Sequence, residues 1–222
     1  MTYQHTEMTP AGGSPCYLDD TLALITQSIE VEPAQPKTEY LDLPGADGSV
    51  DLTEALGLGV LYKDRVIKWT TALRPGADWS ETMSAVSDAV NGLRMERICV
   101  DGSGFYYTGR VTVTSHRTDR LLKQITLEAR CAPFRQFDHE EEATATTTGA
   151  QVSVNVGPRP GTVTVENGGS SALTVSVDGG SASSISAGLE RDFDLEAGAH
   201  TITLTVASGT APATVTWKER HL

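Results

Sequence analysis

Cysteine is scarce in this 222-residue chain, and Cys16, Cys99 and Cys131 form an odd set with no CxxC pairing. That excludes a paired-ligand zinc module and a disulfide framework, and predicts three reduced, largely buried thiols. Long apolar runs are missing too: none nears the roughly 20 residues that cross a bilayer. MTYQHTEMTP has neither the basic start nor the apolar core of a signal peptide, so synthesis and residence in a cytoplasm are the expectation.

Positive charge is equally short. The net charge is −12. Residues 1–137 hold 13 basic and 18 acidic groups, a net −5; residues 138–150 hold four acids and no base, −4; residues 151–222 hold four bases and seven acids, −3. Affinity for nucleic acid rests on Lys and Arg neutralising phosphates, so stable nucleic-acid binding is excluded, and anionic membranes with it.

Site motifs are absent in turn. PGADGSVD lacks the alternating carboxylate spacing of a calcium loop, and turn chemistry accounts for its Asp-Gly pair. The histidines, His5, His116, His139, His200 and His221, are scattered, with none at i, i+4 from a partner. GSGFYYTG (102–109) opens no helix, GLGVLY (57–62) runs into a strand, and neither G-x-S-x-G nor a P-loop occurs. No catalytic, cofactor or metal site is expected, and the chain does not read as an enzyme.

What is present is β-rich. TLALITQSIEVE (21–32) is an apolar, β-branched strand that ends at Pro33 and Pro36. GVLYKDRVIKWTTALR (59–74) predicts a hairpin turning at Lys63-Asp64. A helix is expected over 79–91: Asp78 as N-cap with Glu81 three residues on, an apolar stripe of Trp79, Met83, Val86 and Val90, and Asn91-Gly92 as its left-handed stop. Strands follow at 95–101, 105–115 and 121–134, with Gly109 marking a bulge or a close backbone approach. The expected first domain, 1–137, is α+β: a curved antiparallel sheet or split barrel covered by one helix. Trp69, Trp79, Tyr62, Tyr106 and Tyr107 alternate within strands or sit on the helix stripe, and read as core rather than a sugar platform.

FDHEEEATATTTGAQ reads as an acidic, Thr-rich linker over 138–150. Beyond it, GTVTVEN, ALTVSVDGG, RDFDLEAG, HTITLTVASG and ATVTWKER are short period-2 strands between Gly/Ser turns, a small β-sandwich over 151–222. Its aromatics are Phe193 and Trp217 alone, so its core is expected to be thin and to gain stability by packing against something else.

TEYLDLPGADGSVDLTEALG (38–57), followed by Tyr62-Lys63-Asp64-Arg65 and a strand carrying Trp69, resembles the N-terminal domain of the distal tail protein family of long-tailed bacteriophages. The Trp79…Met83 helix, FYYTGRVTV (105–113) and CAPF (131–134) resemble that family's next elements in the same order, so the likeness covers residues 17–135. Residues 152–222 are similar in pattern only to the family's short β-rich C-terminal extensions, through VENGG, EAGAHTI and VTW.

The resemblance implies a non-enzymatic virion component of the tail tip or baseplate. It would be a homo-hexameric ring between tail tube protein and tail-tip hub, with a lumen for DNA and a projecting C-terminal domain that anchors adsorption devices, a receptor-binding protein among them. Assembly would take place in the bacterial host cytoplasm. Pro44, Gly45, Asp47 and Gly48 are the expected subunit-interface loop, its glycines permitting tight approach of a neighbour while Leu52 and Leu56 tuck one helical turn into the core. The competing readings are a carbohydrate-binding module at 152–222 recognising host cell-wall glycan, which the shortage of aromatics disfavours, and a hydrolytic tail enzyme, for which no site can be assembled.

Overall fold

The structure, a computed structural model, describes residues 5–45, 47–54, 60–119 and 122–222. It is mainly β and divides into two compact units, the first ending at Arg135 and the second running Gln136–His221.

The first unit contains β1 (Glu7–Pro10), β2 (Cys16–Tyr17), β3 (Leu24–Val31), β4 (Tyr40–Asp42), β5 (Ser49–Asp51), β6 (Arg65–Leu73), α1 (Trp79–Ala89), β7 (Arg94–Cys99), β8 (Tyr107–Thr118) and β9 (Lys123–Cys131). Seven of these strands form one antiparallel sheet in the order β2-β1-β7-β8-β9-β6-β3. Alternation decides its faces. Ile67, Trp69 and Thr71 on β6 and Ile125, Leu127, Ala129 and Cys131 on β9 are buried, while Lys68 and Arg130 between them are exposed.

The helix closes the buried face. Asp78 is extended and its Oδ1 accepts from the Glu81 N–H at 3.0 Å, the expected cap. Val86 and Val90 are fully buried, with Trp79 and Met83 packed against the same cluster. Gly92 at φ +77° turns the chain so that its N–H reaches the Val111 carbonyl at 2.8 Å. Gly109 is the close approach that the sequence implied: a Cβ there would lie 2.4 Å from the Arg130 carbonyl oxygen. All three cysteines are free and buried, and burial pushes the Cys131 thiol up to about 12.

The expected hairpin over 59–74 does not form. β6 pairs with β3 and β9, and the residues before it pair instead with 35–37: Lys37 N–H donates to Leu61 O and Lys63 N–H to Gln35 O, both at 2.8 Å. The apolar alternation of 66–71 belongs to a strand with a neighbour on each side, which a local turn at Lys63-Asp64 does not specify.

The second unit holds β10 (Arg135–Thr146), β11 (Ala150–Asn155), β12 (Gly161–Asn167), β13 (Leu173–Val177), β14 (Ser183–Ile185), β15 (Glu190–Leu195), β16 (Ala199–Val206) and β17 (Thr210–His221). Their order is β14-β13-β16-β10-β17-β12-β15, with β11 on β16. Both halves of this one continuous sheet, β13/β16/β11 and β17/β12, contribute buried valines and leucines to one cluster.

The segment 138–150, expected as a linker, is largely the long strand β10. Its acids mislead because all four are exposed along the strand: Asp138, Glu140, Glu141 and Glu142 are solvated, while His139 and Ala143 are half-buried and Ala145 is fully buried in the core. β10 pairs with β17 along the order and reaches β16 in parallel at Thr146–Thr205. It therefore joins the two halves.

Candidate assembly interface

Pro44, Gly45, Asp47 and Gly48 lie at the tip of an arm. β4 and β5 make a two-stranded sheet separate from the main one, with Tyr40 opposite Asp51, Leu41 opposite Val50 and Asp42 opposite Ser49. Leu52 N–H donates to Glu39 O at 2.8 Å and Glu39 N–H to Thr53 Oγ1 at 3.3 Å, closing the stem. At the tip, Gly45 and Gly48 have φ of +84° and +79°, conformations that glycine adopts without strain. A Cβ at either glycine would meet nothing within 4 Å. The glycines are thus required by the turn itself.

A lone two-stranded ribbon is marginal in water, and this one leaves apolar surface bare. Tyr40 (59% exposed), Leu41 (48%), Leu43 (45%) and Val50 (44%) lie within a dozen residues of chain. Leu41 and Val50 share one face; Tyr40, Asp42, Ser49 and Asp51 share the other. Residues 38–62 carry Glu39, Asp42, Asp47, Asp51 and Glu54 and no base. Hydrogen bonds from the Thr53 side chain and backbone hold the Asp51 carboxyl below its ordinary value. Pro44, Gly45, Asp47 and Gly48 are all exposed. Leu52 is half-buried and not helical, so it does not begin the expected helical tuck, and Leu56 lies outside the described residues.

The fold also gathers residues that spacing hid. His5, Asp19 and Asp20 place ligand-type atoms within 4.8 Å of one another. His5 Nδ1 and Asp19 Oδ2 are paired at 2.9 Å, and Arg74 stands 3.9 Å from Asp20, so the cluster is accounted for as an ion-pair group. In the second unit, His139 Nε2 (2.8 Å), His221 Nε2 (3.2 Å) and Asn155 Nδ2 (3.0 Å) converge on the two oxygens of Glu219. The pairing of distant strands creates both clusters, and no local signal marks them.

The outer surface of the second unit has a cleft of about 660 Å³ lined by Asp138, Glu140, Thr162, Thr164, Asp192 and Lys218, among others. Trp217 lines this cleft as well, yet little of its ring is open for a sugar to stack on. Trp217 is 8% exposed, with its ring stacked on His139 at 4.7 Å, and Phe193 packs against the core with the Arg191 guanidinium over it. Among the described residues, no helix is long and apolar enough to cross a membrane.

No protein-family model and no curated protein matches this chain. Among solved structures it is similar to SPP1 Dit (gp 19.1), described as a paradigm of the hub adsorption apparatus in phages infecting Gram-positive hosts: TM-score 0.62, 14% identity, covering 98% of this chain and 99% of that one. A chain of infectious bursal disease virus, Gx strain, aligns at a TM-score of 0.22 and 9% identity over 99% of this chain and 72% of that one, too weakly to bear on the fold. The chain has the fold of SPP1 Dit through both units, in line with the resemblance to distal tail proteins carried by residues 17–135.

Proposed function

We propose that this protein is a structural, non-enzymatic component of a bacteriophage tail tip. Copies close into a homo-hexameric ring that connects the tail tube to the tail-tip hub and adsorption apparatus, with a lumen through which DNA passes. The observation that carries the reading is the fold likeness to SPP1 Dit across nearly the whole of both chains. The arm supports it: an exposed ribbon with bare apolar residues suits burial against another subunit. An acidic chain also suits a conduit, because a wall without net positive charge does not retain DNA.

The tail tube protein, the hub and a receptor-binding protein are the partners, the virion tail tip is the location, and assembly takes place in the host cytoplasm. The test is the mass of the purified protein in solution together with class averages of negatively stained particles. A six-fold annulus is expected; a monomeric mass at every concentration overturns the ring. Gly48→Val, which forces a β-branched residue to φ +79°, is expected to cut ring yield several-fold while leaving the fold intact by circular dichroism. Normal assembly of that variant would reduce the tip to a surface turn.

A further inference from the structure

Three arginines stand side by side on the outer face of the seven-stranded sheet. Arg94 on β7 is directly opposite Arg110 on β8, which is directly opposite Arg130 on β9, and all three are exposed. Like charges in directly opposite positions repel. Among the described residues the carboxylate paired to this row is Asp64, 2.8 Å from Arg130 Nε; Arg110 donates to the Gly92 carbonyl. Glu96 and Glu128 flank the row two positions along β7 and β9 on the same face, but the ion pair made to it is the one from Asp64, in a chain whose net charge is −12. Such a row is stabilised when an acidic surface covers it.

The same unit carries that surface. The arm face with Tyr40, Asp42 and Asp51 presents two carboxylates and an exposed ring on strands about 5 Å apart, the spacing that also separates neighbours in the arginine row. We propose that the acidic face of the β4–β5 arm of one copy seats on the Arg94–Arg110–Arg130 row of the next. Carboxylates pair with guanidiniums there, and Tyr40 lies over one of them. The contact is heterologous, arm to body, and a rotation that repeats it in one sense closes a ring. This inference rests on the ring reading above and assigns that ring its contact surface.

Charge exchange tests it. One full-length variant carries Asp42→Lys and Asp51→Lys, which reverse both carboxylates of that face; another carries Arg94→Glu and Arg110→Glu. Each alone is expected to lose at least roughly tenfold in assembly affinity by mass photometry, with circular dichroism and thermal midpoint near wild type. Mixed in equal amounts they are expected to recover assembly, because arm and row again oppose each other around an alternating ring. Wild-type assembly is also expected to weaken as salt rises to about 0.5 M. If wild type assembles and a folded variant of either kind assembles equally well, the arm-to-arginine contact is wrong and the ring stands. A mixture of two non-assembling variants that stays monomeric also overturns the contact. A monomeric wild type overturns the ring itself.

Discussion

Trp69, Met8 and Met95 fill the core of the first unit, where α1 covers one face of a sheet; the second unit has no helix among its described elements and fills its core with valines and leucines from its strands. The two clusters nevertheless hold the same number of described buried residues, seventeen each, though the second unit is much the shorter. Counting aromatics therefore misjudges the second core. Short period-2 strands bury nearly every inward side chain, and β11 adds Val152 and Val154 while β10 adds Ala145, which treating 138–150 as a linker leaves out. One unit is built from a few large side chains and a helix, the other from many small ones with no helix at all.

The sharpest way to separate them is a glycine in each. Gly109 lies against β9, and Gly157, at φ +82°, would put a Cβ 2.0 Å from the Arg220 carbonyl oxygen. Both neighbours are backbone, which cannot swing aside. Gly109→Val and Gly157→Ala are each expected to cost more than about 4 kcal/mol, enough to unfold the unit that holds them. If the units fold independently, limited proteolysis of Gly109→Val yields a protected fragment beginning near Gln136, and Gly157→Ala yields one ending near Arg135. Loss of both units from either substitution would show that they fold as one.

Core truncation gives the next largest effect and probes the difference in side-chain size. Trp69→Ala removes the largest fully buried side chain of the first unit and is expected to cost about 3–5 kcal/mol. Leu204→Ala, among smaller neighbours in the second, falls in the range of about 2–5 kcal/mol. Urea unfolding of each variant, followed by tryptophan fluorescence from Trp217 for the second unit, measures both. A Leu204→Ala cost below about 1 kcal/mol would mean that the valine core relaxes around the hole and is the softer of the two.

These contrasts also show what could be read from the chain beforehand. The helix was legible because its signals are local: Asp78, Glu81, the apolar stripe and Asn91-Gly92 all act within one element. Gly109 was legible because a glycine inside a strand forgoes side-chain packing, which is tolerated where another backbone must come close. The partners of β6 were not, since pairing to β3 and β9 depends on residues tens of positions away. β10 was hidden by its own run of four exposed acids, which suits a solvated stretch of strand as readily as a loop. At the candidate interface the tip turn was plain from Pro-Gly and Asp-Gly. The arginine row was invisible: Arg94, Arg110 and Arg130 align only once β7, β8 and β9 are in register.

The smallest effect compares one ion pair from each unit. In the second, Asp178 accepts from His200 Nδ1 at 2.7 Å; this bond, with that to Glu196 O, raises the imidazole above its ordinary value, and it lowers the Asp178 carboxyl. In the first, burial pushes the Asp19 carboxyl up, but the hydrogen bond from His5, backbone N–H bonds and the His5 charge together outweigh it and the net shift is downward, while Asp19 raises His5. A raised histidine stabilises the fold below its unfolded value of about 6.5 and loses that contribution as pH rises through the folded value; a lowered carboxylate stabilises above about 3.9 and loses it as pH falls. Each pair therefore contributes most between about pH 4 and 6.5. Asp178→Asn and Asp19→Asn are each expected to lower the thermal midpoint of their own unit by a few °C at most near pH 5.5, and by less near pH 8, where the histidines are neutral in either protein. Asp178 is about half exposed and Asp19 mostly covered, so salt near 0.5 M is expected to erase the first difference before the second. Equal losses at pH 5.5 and pH 8 would show that these carboxylates act as neutral turn acceptors, through bonds such as Thr201 N–H to Asp178 at 2.8 Å, rather than as charges.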